Sequence, residues 1–414
     1  MPLALRALPS RNTKYHNFPS LQFYSSLKCI IAFIFNNSFG IFLKNHLICI
    51  PKEIFYRMQI ILFYFILLIL FIFQGLFAQY YHFEGILEPN LKISMDLNKN
   101  DKTLKGVYFY YSSGQPLNLT GKVDNDLWKL EETDLNNNKT GTWEVKLNGN
   151  QLIGNWSGNG KKLTVNLKED YSTGLKFKII EILDEYKASE NYGLKNYLGL
   201  YFPLPPLNPQ KSPTALKSIC DTILAEVNMK SKDLNENMIK KEFQKSFDEI
   251  RETYIGFVNN EKEACENAPF TCDWSNSQEG YPVFNQNNIL SYRNSMSSYM
   301  GGAHGSYGTW HCNFNTANGQ MIFIENLFKE DSEKPLINIL KSKLKQKYKT
   351  NNLEAVNLDE VFVSENFQIT YSGIVFHYNP YEIGPYSLGA PEVFVPYSEL
   401  KPFLVNGHPL NWVK

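Results

Sequence analysis

The sequence predicts an α+β protein, in which an antiparallel β-meander or small barrel is followed by a unit that mixes helices with strand hairpins. Three observations carry this. Between Tyr80 and Asp170, short runs of alternating apolar and polar residues recur about every ten residues, as in antiparallel strands joined by tight turns. From Leu216 to Tyr254 the apolar spacing changes to that of amphipathic helices. Beyond Tyr281 strand-like runs return, one of them turned at Asn318-Gly319.

A chain of 414 residues has room for two or three domains. Aromatic residues make up 14%, which suits β-rich architecture. Formal net charge is zero, but unevenly distributed. Residues 1–57 hold seven Lys/Arg and one acid, Glu53, and no charge falls between Met58 and Ala78. Residues 79–414 therefore carry 34 basic and 40 acidic side chains, a net of −6. A mildly acidic folded part argues against a nucleic-acid partner.

Ile60 to Phe73 is an unbroken apolar run, followed by Gln74, Gly75, Leu76, Phe77 and Ala78. A short apolar core ending in a small residue reads as a signal peptide over 58–78, cut after Ala78. A signal anchor is the alternative, because Leu76 stands where Ala is usual, and membrane attachment follows only if the segment stays uncleaved. Met58 then reads as the start, and 1–57 as an upstream extension without periodic pattern. The expected location is extracytoplasmic, periplasmic or secreted.

The meander over 79–170 comprises runs at Leu91–Leu97, Gly106–Tyr111, Leu117–Thr120, Leu127–Glu131, Gly141–Leu147, Leu152–Trp156 and Leu163–Leu167. A weak repeat pairs Leu104-x-Gly106-x-Tyr108 with Leu152-x-Gly154-x-Trp156; each glycine is expected to let a neighbouring aromatic lie over the backbone. Trp128, Trp143 and Trp156 read first as core aromatics, with sugar stacking as the alternative. The acidic pairs Glu131-Glu132 and Asp359-Glu360 read as solvated.

Leu175–Leu183 reads as another strand. Five prolines follow in the eleven residues from Pro203 to Pro213, a stiff, extended crossing that either marks a domain border or lies along a sheet edge. Leu216, Ile219, Cys220, Ile223, Leu224 and Val227 share one helical face, and Ile239, Phe243, Phe247, Ile250 and Tyr254 another. Cys265 and Cys272 flank a six-residue loop and are the disulfide candidate in an exported chain. Cys220 reads as a buried thiol. A further helix is expected at Pro335–Tyr348, capped by Ser332.

Chemistry is most concentrated in Ser298–Cys312, which holds four glycines, two histidines and three aromatics. Gly308 stands two residues after Ser306, but His304 stands two before it, so the stretch is not a nucleophile elbow. His304 and His311, with Cys312, match no metal-ligand spacing. No catalytic residue, metal or cofactor is assigned. His304 reads chiefly as holding a turn, and His311 and His377 as cross-strand partners.

Four motifs in the last third carry a resemblance: Tyr299-x-Gly301-Gly302-Ala303-His304-Gly305, Glu325-Asn326-Leu327-Phe328, Asn379-Pro380-Tyr381-Glu382-Ile383-x-Pro385-Tyr386 and Val395-Pro396-Tyr397-x-x-Leu400. In this order they resemble the RsiV C-terminal-like domain, a domain of unknown function, over 276–405. Residues 171–275 resemble, more weakly, the PdaC-like domain that precedes it in that family. The resemblance implies an α+β unit with helices packed on antiparallel sheet, in proteins of the bacterial envelope, and for RsiV-type chains the sensing of lysozyme. Neither a sigma-binding region nor a deacetylase motif is present to transfer. Residues 406–414 remain as a tail.

The expected function is thus an exported, non-catalytic binding or sensing module for a lysozyme-like hydrolase or cell-wall glycan such as peptidoglycan. The expected contacts are Tyr299, His304, Tyr307, Trp310, Tyr381 and Tyr386, because tyrosines on rigid loops bring contact area at small entropic cost. The alternatives are an enzyme acting on cell-wall glycan through the Gly-Gly-Ala-His-Gly region and a structural envelope component.

Overall fold

The computed structural model describes residues 41–43, 46–48, 79–112, 115–229, 235–349 and 353–413. The expected signal segment 58–78 lies outside the described residues, as does most of the expected extension 1–57. Within that extension, β1 (Ile41–Leu43) and β2 (His46–Ile48) pair antiparallel. No helix among the described residues is long and apolar enough to cross a membrane.

From Gln79 the chain builds a closed antiparallel barrel of eight strands: β3 (Gln79–Leu87), β4 (Leu91–Asn100), β5 (Thr103–Tyr110), β6 (Leu117–Asp124), β7 (Leu127–Thr133), β8 (Lys139–Asn148), β9 (Gln151–Gly158) and β10 (Lys161–Glu169). Each strand pairs with the next, and β10 closes on β3. Closure settles the choice between barrel and open meander by leaving no free edge. The run that alternation did not isolate is β3: four successive residues, Tyr80 to Phe83, are buried, since its outer face is covered by the rest of the fold.

Phe83, Leu97, Tyr108, Trp143, Val145 and Leu167 fill the barrel. Trp128, Trp143 and Trp156 are buried there, which makes them core. Two expectations are corrected. Gly106 and Gly154 do not accommodate an aromatic: a Cβ at either would lie 2.2 Å from the neighbouring strand's carbonyl, Asp96 or Glu144, so they admit backbone. Glu132 is not solvated but 2% exposed. Its carboxylate accepts hydrogen bonds from Tyr108 Oη (2.8 Å), Trp143 Nε1 (3.0 Å), Trp156 Nε1 (2.7 Å) and Thr140 Oγ1 (2.7 Å). Four donors compensate the desolvation of a buried charge. Asp359 and Glu360 are exposed, as expected.

The second layer is a six-stranded sheet: β11 (Lys178–Lys187), β12 (Gly193–Phe202), β13 (Trp274–Gln286), β14 (Ile289–Tyr299), β15 (Ser306–Asn315) and β16 (Gln320–Met321), in that order. All pairs are antiparallel except β12–β13. That parallel pair exists because the chain returns through α1 (Pro213–Ala225), α2 (Glu236–Asn260) and α3 (Lys262–Asn267). The sheet is thus continuous across residue 275, where a border was expected. Ser212 accepts from Ala215 N and Asn235 from Asn237 N, capping α1 and α2. Leu216, Ile219, Cys220 and Ile223 of α1 and Ile239, Phe243 and Phe247 of α2 share one core with Leu198, Leu200, Tyr292, Cys312 and Phe314 of the sheet.

The third layer comprises β17 (Phe367–Ile369), β18 (Gly373–His377) and β19 (Glu392–Pro396), paired antiparallel, with α4 (Glu333–Lys347) and α5 (Tyr397–Leu400). Leu336, Leu340 and Leu344 of α4 share a core with Ile374, Phe376, Val393 and Val395. α4 begins two residues before the expected Pro335. Ser332 does not cap it by its side chain: the hydroxyl donates back to Lys329 O instead.

Candidate binding surface

Sheet, helices and disulfide together fix one turn. β14 and β15 part at Ser298↔Ser306, and the chain between them reverses through Gly301 (φ 86°) and Gly302 (φ 90°). Both lie in the left-handed region that favours glycine. A Cβ at Gly301 would also lie 2.7 Å from Thr271 O, so the turn rests against the segment closed by the Cys265–Cys272 disulfide. Tyr254 Oη supports that segment from α2 by donating to Cys272 O at 2.8 Å.

A second loop, Asn379–Gly389, meets the turn. Asn379 Oδ1 accepts from Thr309 N at 2.8 Å, and Glu382 caps the loop by accepting from Asn379 N at 2.9 Å. Ile383 is buried beneath, and its carbonyl accepts from Asn357 N at 2.8 Å. Tyr386 is the hub. Its hydroxyl donates to Gly305 O at 2.9 Å, and the same carbonyl pairs with His304 Nδ1 at 2.8 Å. The His304 ring stacks on Tyr386 with centroids 4.1 Å apart. Tyr307 meets Tyr386 edge-on and Tyr381 meets it at a tilt, each at 5.7 Å.

Four of the six expected contact residues therefore converge: His304, Tyr307, Tyr381 and Tyr386. Tyr307 is 40% exposed and Tyr381 65%. The other two do not join them. Tyr299 donates to Gly302 O at 3.1 Å within its own turn. Trp310 stands three residues from Tyr307, and alternation along β15 puts it on the opposite face, half-buried against the core under α1 and α2. The carbonyl that His304 engages is that of Gly305, in the same exposed turn. Phe270 and Met300, which sequence reasoning did not single out, are 68% and 57% exposed.

Tyr381 is the conformational exception. Its φ is +75°, a backbone state that costs a bulky residue on the order of 1–3 kcal/mol. Its neighbours, Pro380 and Glu382, leave no flexible residue to absorb that strain.

His311 and His377 lie elsewhere, between the two sheets. They belong to β15 and β18 and meet each other across the layers, their rings 5.6 Å apart, while within its own sheet His311 stands opposite Arg293 and His377 opposite Glu392. His311 Nδ1 pairs with Asn366 Oδ1 (2.9 Å), and His377 Nδ1 with Glu392 Oε1 (3.2 Å). Burial, then Arg293 and His377, lower the His311 pKa to about 3, so it is neutral. Burial raises Glu392, but the His377 hydrogen bond and Arg293 outweigh it and bring the pKa to about 2. The group is an internal polar tie. No cluster of three or more His, Cys, Asp or Glu among the described residues could hold a metal ion.

What these layers define is an α+β protein with a closed barrel in front and an aromatic surface at the rim of its central sheet. Comparison with known families places two matches on it: residues 219–307 match the model described as deacetylase PdaC, and residues 325–398 the protein of unknown function DUF3298. They stand in the order that the sequence motifs implied, a PdaC-like region followed by a domain of unknown function. A DUF3298 family member from Bacteroides fragilis is 22% identical, covering 58% of this chain and 98% of its own, with a TM-score of 0.49. A DUF3298 family protein from Pseudomonas aeruginosa is 14% identical, covering 56% and 95%, with a TM-score of 0.37. No curated protein matches.

Proposed function

We propose that the chain is an exported, non-catalytic binding or sensing module of the bacterial envelope. Its ligand is a lysozyme-like hydrolase or cell-wall glycan, held at the surface formed by His304, Tyr307, Tyr381 and Tyr386. The observation that carries this reading is Tyr381. It combines a left-handed backbone with a ring that is 65% exposed. Folding gains little from an exposed ring, whereas a ligand that covers the ring would offset the strain. The surroundings agree with it: 296–310 contains no charged residue, and Tyr, Ser, Gly and Asn are the residues that adaptable contact surfaces favour.

The test is binding of the full chain to immobilised lysozyme and to peptidoglycan, for wild type, Tyr381→Gly and Tyr307→Ala. Tyr381→Gly removes the ring and relieves the strain together. It is expected to weaken binding by about tenfold or more while leaving the melting temperature unchanged or raised. Wild-type affinity in both variants, or binding of neither ligand by wild type, would sink the reading. Export is tested separately: N-terminal sequencing of the chain secreted from a bacterial host is expected to begin at Gln79.

A further inference from the structure

We infer that the seam between the barrel and the six-stranded sheet is a second binding site, made for the vicinal-diol edge of a neutral sugar. The site is a cavity of about 60 Å³ lined by residues of both layers, among them Asn98, Asn100, Lys105, Tyr197, Glu279 and Tyr281. By the volume a single water occupies, it holds roughly four water-sized groups. That accommodates one edge of a sugar ring, not the whole ring.

The central residue is Asn98. It points out of the barrel on β4, is 6% exposed and lines the cavity. Neither Oδ1 nor Nδ2 has a hydrogen-bond partner among the described residues. Buried amides are normally paired. This one offers an acceptor and a donor side by side to whatever enters the cavity, and two adjacent hydroxyls, one donating and one accepting, match that pair.

The rest of the lining decides between ligand classes. Lys105 Nζ is 2.9 Å from Glu279 Oε2, and the Tyr197 hydroxyl donates to Glu181 Oε1 at 2.8 Å while accepting from Asn100 Nδ2 at 3.0 Å. A cation would face Lys105 and the Asn98 amide nitrogen. An anion would face Glu279. Hydroxyls, which both donate and accept, suit a wall where the two charges are already paired. Tyr197 and Tyr281 add aromatic surface for the apolar side of a sugar. This site is separate from the aromatic surface at the sheet rim and does not depend on it.

The test is saturation-transfer NMR on the full chain with methyl glucoside, methyl mannoside and methyl galactoside at millimolar concentration, with cyclohexanol as the control lacking a diol. At least one glycoside is expected to receive saturation, and cyclohexanol none. Asn98→Leu, which removes both polar atoms, and Asn98→Asp, which removes the donor, are each expected to weaken binding by about tenfold or more, with melting temperatures showing that both fold. Glu279→Gln keeps the shape of the wall and serves if either fails to fold; it too is expected to weaken binding. Tyr381→Gly is expected to leave the signal unchanged. Absence of signal for all three glycosides overturns the proposal. So does an undiminished signal in Asn98→Leu, or one lost in Tyr381→Gly alone.

Discussion

Raising the pH from 6.5 to 10 is expected to loosen the barrel from the sheet through one histidine. His82, on β3, is 1% exposed. Its Nδ1 lies 2.8 Å from Asp96 Oδ1 and its Nε2 3.3 Å from Glu84 Oε1. Tyr80 Oη donates to the same Asp96 oxygen at 2.5 Å and accepts from Asn285 of the sheet at 2.8 Å. Tyr111 Oη bonds Glu84 and, at 2.9 Å, Gln286. Burial pulls the imidazole pKa down, but Asp96 and then Glu84 outweigh it, and the net value rises from 6.5 to about 10. A raised folded-state value means that the stabilisation is complete below the unfolded pKa and is lost as pH climbs through the folded one. The slope is about 1.4 kcal/mol per pH unit, on the order of 5 kcal/mol across the window. The assay is urea unfolding of wild type and His82→Gln at intervals from pH 6 to 10.5. The stability difference between them is expected to shrink steadily above pH 6.5, while tyrosines and lysines titrating in both proteins cancel. A difference that stays flat, or an NMR titration of His82 near its ordinary value, would refute the reasoning.

Three further expectations concern stability. Glu132→Leu leaves the indole, phenol and hydroxyl donors around it without an acceptor and is expected to cost about 4 kcal/mol, read from the urea midpoint; Glu132→Gln, which keeps one acceptor oxygen, is expected to cost less. Replacing Cys265 and Cys272 by serine opens a short loop and is expected to cost about 2–3 kcal/mol, seen as a lowered melting temperature that reductant no longer affects. Because the His311 pKa is lowered to about 3, the unfolded chain takes up its proton first as pH falls below 6.5. Stability is therefore expected to drop with acidification over that window, with a flatter slope in His311→Gln and a neutral His311 imidazole in nitrogen-detected NMR at pH 5.

The order of layers and most strands follow from local pattern. Period-two runs between polar turns were enough to locate seven of the eight barrel strands, and the two apolar helical faces match the buried residues of α1 and α2. Local pattern failed where a segment is covered on both faces. Tyr80–Phe83 and Gly193–Phe202 do not alternate cleanly, because one side meets its own core and the other a neighbouring layer. Glu132 was misread for a related reason: its acidity is visible, but the four donors that hold it come from three other strands, Tyr108 of β5, Thr140 and Trp143 of β8, and Trp156 of β9.

The sequence by itself determined which residues can turn, alternate or cap, and it marked Ser298–Cys312 and Asn379–Tyr386 as rigid segments rich in aromatics. Only the tertiary structure decided that these two segments, some seventy residues apart, meet through Tyr386 and Gly305. It also separated Trp310 from Tyr307, although both lie in the same strand. Side-chain direction in a strand is a local property, but which layer covers each face is set by packing across the whole chain.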